Sequence, residues 1–260
     1  MVRLSGRSEG IGAKTQTSDA QGGCVHVRPR ADQKEKTAYH EAGHAIVGMN
    51  MPKCDPVYKA TIIPRGGALG MVVSLPEMDR LQFFKDEGKQ KLAMTMAGKA
   101  AEIIKYGADS VSSGPAGDIQ QASSLARAMV MRWGMSDKVG NIDYSEAHEG
   151  YQGNTAGFSV SAETKTLIEA EVKALIDEGY ETARRVLLDK NDDFERLAKG
   201  LLEYETLTGD QIRKVIAGEA LDSGDDADKP PSGGTTASVT TLPKTKPRAR
   251  KADMEPKPSV

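Results

Sequence analysis

The chain of 260 residues is poor in cysteine, in aromatic residues and in long apolar runs. Its two cysteines, Cys24 and Cys54, are too few for a disulfide scaffold and lack metal-binding spacing, so we expect reduced thiols in a cytoplasmic compartment. No apolar run approaches the roughly 20 residues that cross a bilayer, and no N-terminal stretch has the form of a secretory signal. The net charge of −2 gives no reason to expect nucleic acid as a partner.

The composition changes sharply near both ends of the chain. Residues 1–31 are rich in Gly, Ser and Arg without an apolar period, and we predict a flexible arm there. Residues 219–260 contain six of the twelve prolines and no aromatic residue, which is typical of a disordered tail. Between them, residues 32–218 are expected to form one folded domain that is long enough to bury a core.

Apolar periodicity predicts that this domain is mainly α with a small β-sheet. The sheet would contain residues 57–63 and 69–75 as adjacent strands or a hairpin, and residues 140–160 would form a long loop. Four longer helices are predicted, at residues 33–50, from Asp79 to Tyr106 with a potential break at Gly88, from Asp118 to Trp133, and after Ser161 to Leu188. Two short helices would follow, each opened by a capping box, at Asp192 and at Thr208. The buried faces of the longer helices would include Ile119, Trp133 and Leu167.

A metal-binding motif of the form H-E-x-x-H lies at His40, Glu41 and His44. Residues four apart on a helix lie on the same face, so both imidazoles can reach one zinc ion. Glu41 would then lie beside the metal, where it can accept a proton from water. The pattern indicates metal-dependent hydrolysis, although so short a motif can also arise by chance.

A catalytic zinc site usually has a third protein ligand. His26 and His148 fall outside the predicted rigid elements, so a carboxylate is the better candidate. Glu102 interrupts an apolar helical run, and Asp118 lies at a predicted helix start. Ordinary structural roles remain open for both, because an exposed helix face explains Glu102 and a helix N-terminus favours an acidic residue such as Asp118.

Several motifs occur in the order found in the FtsH family of ATP-dependent, membrane-anchored zinc metalloproteases, and the chain closely resembles its peptidase domain over residues 33–217. The matching segments are residues 37–45 (TAYHEAGHA), 61–66 (TIIPRG), 68–70 (ALG), 117–119 (GDI), 125–127 (LAR) with Met129 and Val130, and 133–136 (WGMS). The resemblance implies that His40, His44 and Asp118 hold Zn²⁺ and that Glu41 is the catalytic base. It also implies a position for Glu102 near the site, supporting the ligands.

The resemblance predicts a zinc metalloendopeptidase that cleaves unfolded or damaged proteins and assembles as a homo-oligomer, a hexamer in the family. Gly70, Met71, Val72 and Val73 would bind substrate by strand addition, although they could equally be only part of the sheet.

The sequence has no G-x-x-x-x-G-K-[ST] phosphate loop, so we expect no ATP hydrolysis by this chain itself. Contact with the cytoplasmic face of the inner membrane would come through full-length relatives. The alternative is a catalytically idle oligomerising or regulatory fragment.

Overall fold

A computed structural model describes residues 30–65, 68–76, 82–144 and 160–221. The predicted arm before residue 30 and the predicted tail after residue 221 lie outside the described residues, as does most of the predicted 140–160 loop. Cys24, His26, Asp79 and His148 are also outside them. Within the described segments, no helix is both long and apolar enough to cross a lipid bilayer.

The described residues form six α-helices and three short strands, which confirms a mainly α fold with a small sheet. A short 3₁₀ turn, Ala108–Ser110, precedes the third helix, and a π-helical turn, Ala128–Arg132, follows it. The helices are α1 (Ala31–Met49), α2 (Lys85–Tyr106), α3 (Ala116–Arg127), α4 (Ala162–Asp189), α5 (Asn191–Tyr204) and α6 (Gly209–Ala217), and the strands are β1 (Val57–Thr61), β2 (Met71–Ser74) and β3 (Thr206–Thr208).

The sheet is antiparallel in the order β2-β1-β3. Strands β1 and β2 form the predicted adjacent pair, with Ala60 opposite Val72 and Thr61 opposite Met71. The third strand was not predicted, because three residues carry no readable alternation and become a strand only by pairing with β1.

At the end of β3, Thr208 caps α6 as the capping box predicts. Oγ1 of Thr208 accepts from the backbone N–H of Gln211, and Oε1 of Gln211 accepts from the backbone N–H of Thr208.

Close packing between α1 and α2 fixes the position of the H-E-x-x-H segment. Ala38, Ala42 and Ala45 of α1 are fully buried against a core that includes Ala97 and Ala101 of α2. Gly43 is needed for this approach, since a Cβ there would lie 2.6 Å from Cβ of Ala101. Because the backbones are this close, side chains that leave α1 beside the contact must lie along the surface of α2.

Helix α2 differs from its prediction at its start. It begins at Lys85, and residues 82–84, which were predicted to be helical, are not; the predicted start at Asp79 lies outside the described residues. Asp86 and Glu87 lie in its first turn, where their negative charges stabilise the N-terminus of the helix. The helix continues unbroken through Gly88, and Gly107 ends it with a positive φ of 84°. Glycine at position 88 makes room for Met129, because a Cβ there would lie 2.7 Å from its sulfur.

The predicted faces of the later helices were partly wrong. Ile119, Trp133 and Leu167 are 41%, 45% and 37% exposed, and Ile168 is buried where Leu167 was expected. Helix α5 begins at Asn191, so Asp192 is already in its first turn and does not open a capping box. Helix α4 begins as predicted, with the Ser161 side chain accepting from the backbone N–H of Thr164.

Candidate metal centre

The two motif histidines lie side by side on the face of α1 that meets α2. Nε2 of His40 and Nε2 of His44 are 3.1 Å apart. Their side chains are only 13% and 12% exposed. Gly98 of α2 provides the room, since a Cβ at that position would lie 2.5 Å from each Nε2 atom. Both imidazoles therefore direct the same ring nitrogen to one point above α2.

Asp118 reaches the same point from the first turn of α3. Its Oδ2 lies 3.2 Å from Nε2 of His40 and 3.4 Å from Nε2 of His44. In a tetrahedral zinc site, ligand atoms about 2.1 Å from the ion are roughly 3.4 Å from one another. Among the His, Cys, Asp and Glu side chains that the structure describes, these three form a cluster that could hold a metal ion.

The hydrogen bonds behind the histidines show which ring nitrogens face the cluster as acceptors. Nδ1 of His44 donates to the backbone carbonyl of Met94 at 2.8 Å, because a carbonyl only accepts. Its Nε2 therefore carries a lone pair in the neutral ring. Nδ1 of His40 lies 3.0 Å from Oε1 of Glu102 and donates to that carboxylate in the same way. The two Nε2 lone pairs thus converge with the Asp118 carboxylate.

Three converging acceptors need a positive charge between them. Oδ2 of Asp118 is buried and has no hydrogen-bond partner of acceptable geometry. Burial lowers the pKa of His40, but Asp118 and Glu102 raise it more, to about 10, so the surroundings of this point favour a positive charge. For Asp118, burial raises the pKa of the carboxyl group. The two imidazoles lower this pKa more, and they hold it well below its usual range. A cluster that attracts a proton so strongly fits a divalent cation of the kind that binds N and O ligands.

Glu102 is 2% exposed and lies behind His40 on α2. Burial raises the pKa of its carboxyl, but the bond to His40 and two bonds from Ser112 lower it more, so the group is ionised. The backbone N–H of Ser112 donates to Oε2 at 2.8 Å, and Oγ of Ser112 donates to Oε1 at 3.1 Å. Glu102 thus orients His40 and does not join the cluster itself.

Glu41 is 5% exposed and lies beneath the segment that enters β2. A Cβ at Gly70 would lie 2.7 Å from its Oε1, so the glycine lets the chain pass directly over the carboxylate. Burial raises the pKa of Glu41, although His44 and His40 act in the opposite direction. A carboxyl group with a raised pKa is suited to accepting and returning a proton near neutral pH.

A cleft of about 860 Å³ runs along this site. Its lining includes His40, Glu41 and Asp118 together with Met71 and Val72 of β2. β2 is an edge strand whose outer side carries no partner strand among residues 30–65, 68–76, 82–144 and 160–221. Of the predicted substrate residues, Met71, Val72 and Val73 lie in β2 and Gly70 directly precedes it.

Sequence reasoning missed two residues of this site. Gly98 was detectable as a glycine inside a helical run, which often marks close packing. Ser112 has no signal in the sequence, because its role depends on the fold bringing it against Glu102.

A helical His pair, a carboxylate at the same point and a buried glutamate beside them are the components of H-E-x-x-H metallopeptidases. The model of peptidase family M41 matches residues 28–215. The chain therefore belongs to peptidase family M41, and the resemblance to FtsH proteases is confirmed.

Several similar proteins share the name ATP-dependent zinc metalloprotease FtsH. The protein from Caulobacter vibrioides (strain NA1000 / CB15N) is 48% identical over 190 residues, which is 72% of this chain and 30% of the relative. The protein from Rickettsia bellii (strain RML369-C) is 42% identical over 228 residues, covering 85% of this chain and 36% of the relative. This chain spans about a third of the length of these relatives.

Proposed function

We propose that the chain is a zinc metalloendopeptidase that cleaves unfolded polypeptides. The observation that carries this proposal is the convergence of His40, His44 and Asp118 on one point, with ligand-atom separations of 3.1, 3.2 and 3.4 Å. Its family membership and the names of its relatives support the same metal and the same reaction class.

The three convergent side chains would hold the zinc ion. Glu102 and the Met94 carbonyl fix the two imidazole rings through their Nδ1 atoms, so each ring presents Nε2 without searching other orientations. Bound there, zinc supplies Lewis acidity that lowers the pKa of a water from about 15.7 towards about 7 and polarises the scissile carbonyl.

Glu41 serves as the proton carrier of the reaction. Glu41 lines the same cleft as His40, His44 and Asp118. The ionised carboxylate accepts a proton as water attacks the carbonyl carbon, and it then returns the proton to the leaving amine. Burial favours the protonated form of Glu41, which makes the return step easier.

The edge of β2 would bind the substrate backbone. An extended peptide that adds to this strand pairs through main-chain N–H and C=O groups and runs along the cleft beside Glu41. Such pairing demands an unfolded substrate and reads few of its side chains. Gly70, Met71, Val72 and Val73 would therefore give loose sequence preference.

By resemblance to its relatives, the chain would act within a homo-oligomer, a hexamer in the family, on substrates that an ATPase delivers. It would work in the cytoplasm, at the inner face of the membrane that anchors such assemblies.

Metal analysis combined with cleavage of unfolded casein without ATP tests the proposal. We expect about one zinc per chain and cleavage that stops with chelator and returns with zinc. Zinc without cleavage would instead support an idle oligomerising or regulatory module. A protein that binds no zinc would overturn the metal site itself.

A further inference from the structure

Ser112 makes two hydrogen bonds to one buried carboxylate. Its backbone N–H donates to Oε2 of Glu102 at 2.8 Å, and its hydroxyl donates to Oε1 at 3.1 Å. Oε1 is also the oxygen that lies 3.0 Å from Nδ1 of His40. The hydroxyl and the imidazole thus share one acceptor atom.

The same serine lies in the connection that leads to the third convergent residue. Residues 111–115 join the short turn Ala108–Ser110 to α3, and Asp118 is the third residue of that helix. Oγ of Ser112 accepts from the backbone N–H of Gly114 at 3.0 Å, so the hydroxyl also holds the bend of this connection. A side chain at position 114 would disturb the arrangement, since its Cβ would lie 2.9 Å from Oγ.

We infer that Ser112 is a positioning residue that couples the two sources of metal ligands. Through Glu102 it holds the ring of His40 on α1, and through the bend at Gly114 it holds the connection that carries Asp118. The inference rests on the proposed function, since it concerns how long the site retains zinc.

The size of the effect follows from what each bond does. A buried ionised carboxylate depends on its donors, and loss of one leaves it free to turn away from the imidazole it orients. Substitution by alanine keeps the backbone N–H that donates to Oε2, so the site should persist in a loosened form. Substituting residues that directly support metal ligands typically costs about 10- to 100-fold in affinity, and we expect about three- to tenfold for this more distant contact.

The experiment measures zinc release from the loaded protein to a chromophoric chelator. Ser112→Ala removes the hydroxyl, and Ser112→Thr keeps it. Ser113→Ala is the matched control, because Ser113 is an exposed serine in the same connection. Thermal unfolding of each variant in excess chelator measures any effect on the metal-free fold.

Zinc release about three- to tenfold faster in Ser112→Ala, with parental rates in Ser112→Thr and Ser113→Ala, supports the inference. Release from Ser112→Ala at the parental rate overturns it, and so does a loss of metal-free stability that accounts for the whole change. A parent protein that binds no zinc would instead refute the proposed function, so the two failures are distinguishable.

Discussion

Gly98 of α2 and His40 of α1 are in such close contact that any side chain at position 98 would collide with the imidazole. A Cβ atom there would lie 2.4 Å from Cε1 of His40 and 2.5 Å from Nε2 of both histidines. The clash falls on the atoms that would bind zinc, because the helix backbone at Gly98 forms the floor of the site.

We therefore expect Gly98→Ala to lose zinc although alanine favours a helix. Displaced Nε2 atoms cannot both reach the ion, so zinc per chain after dialysis should fall below about a tenth of the parental value, as for loss of a ligand. Gly117→Ala is the control, because a Cβ there meets nothing within 4 Å. It should keep its zinc and gain up to about 1 kcal/mol of helix stability. Full zinc retention by Gly98→Ala would show that the ligands are not arranged as described.

Asp118→Ala tests the third ligand. Removing the carboxylate leaves two nitrogen ligands, and zinc affinity should fall by at least about 100-fold, the upper end of the range for residues that only support ligands. Asp109→Ala provides the comparison, since Asp109 is an exposed aspartate in the preceding turn. Competition with a chelator of known affinity measures both variants. Equal zinc affinity in Asp118→Ala and the parent would remove Asp118 from the site.

Alternate backbone methylation of a peptide substrate tests strand addition at β2. Along an edge strand, only every second residue of an added peptide directs its N–H and C=O to the protein. N-methyl groups at one set of alternate residues should raise KM by about tenfold or more, because each removes a hydrogen bond, whereas the other set should have little effect. Equal KM values for the two peptides would argue against main-chain pairing.

Glu195 of α5 should make stability depend on acid pH. Its carboxylate accepts from Oη of Tyr39 at 2.8 Å and from Nζ of Lys105 at 2.7 Å, which joins α5 to α1 and α2. Burial raises its pKa, but Lys105 and Tyr39 lower it more, so the folded value lies below the ordinary 4.5. The stabilisation is therefore complete above pH 4.5 and is lost as the pH falls through the folded pKa.

Chemical denaturation in chelator, from pH 7 down to pH 3, checks this prediction. The difference in free energy of unfolding between the parent and Glu195→Gln should be constant at neutral pH and shrink below pH 4.5. Glu169→Gln, at an exposed position on α4, is the control for the loss of a surface carboxylate and should change the free energy of unfolding little at pH 7. A Glu195→Gln difference that grows on acidification would reverse the predicted sign.

The local half of the site was predictable, and the distant half was not. Four-residue spacing alone places His40 and His44 on one helix face, and a charged residue in an apolar run marks Glu102. Spacing cannot show that Asp118 reaches the same point, because that depends on how α3 packs; only the resemblance indicated it. Strand β3 was missed for the same reason, since it forms only by pairing with β1. The glycine at position 98 signals close packing inside a helix, but the sequence does not show that the imidazoles are what packs there.

The one-residue error at Leu167 has a different origin. Leu167 and Ile168 are adjacent apolar residues, and helical periodicity cannot decide between neighbours near the edge of a buried face. The structure buries Ile168 in a cluster with Val130 and Tyr144. That cluster belongs to the segment after α3, whose position the sequence did not reveal.

Glu41→Gln separates zinc binding from peptide-bond cleavage. The amide has nearly the same shape as the carboxylate but cannot accept the proton, and none of the three converging atoms belongs to residue 41. Zinc content and cleavage of unfolded casein should be measured on the same zinc-loaded preparations of the parent and the variant. We predict equal zinc and a loss of cleavage by at least about 100-fold, the lower end of the contribution of a general base. A variant that retains zinc and cleaves at the parental rate would show that Glu41 is not the catalytic base.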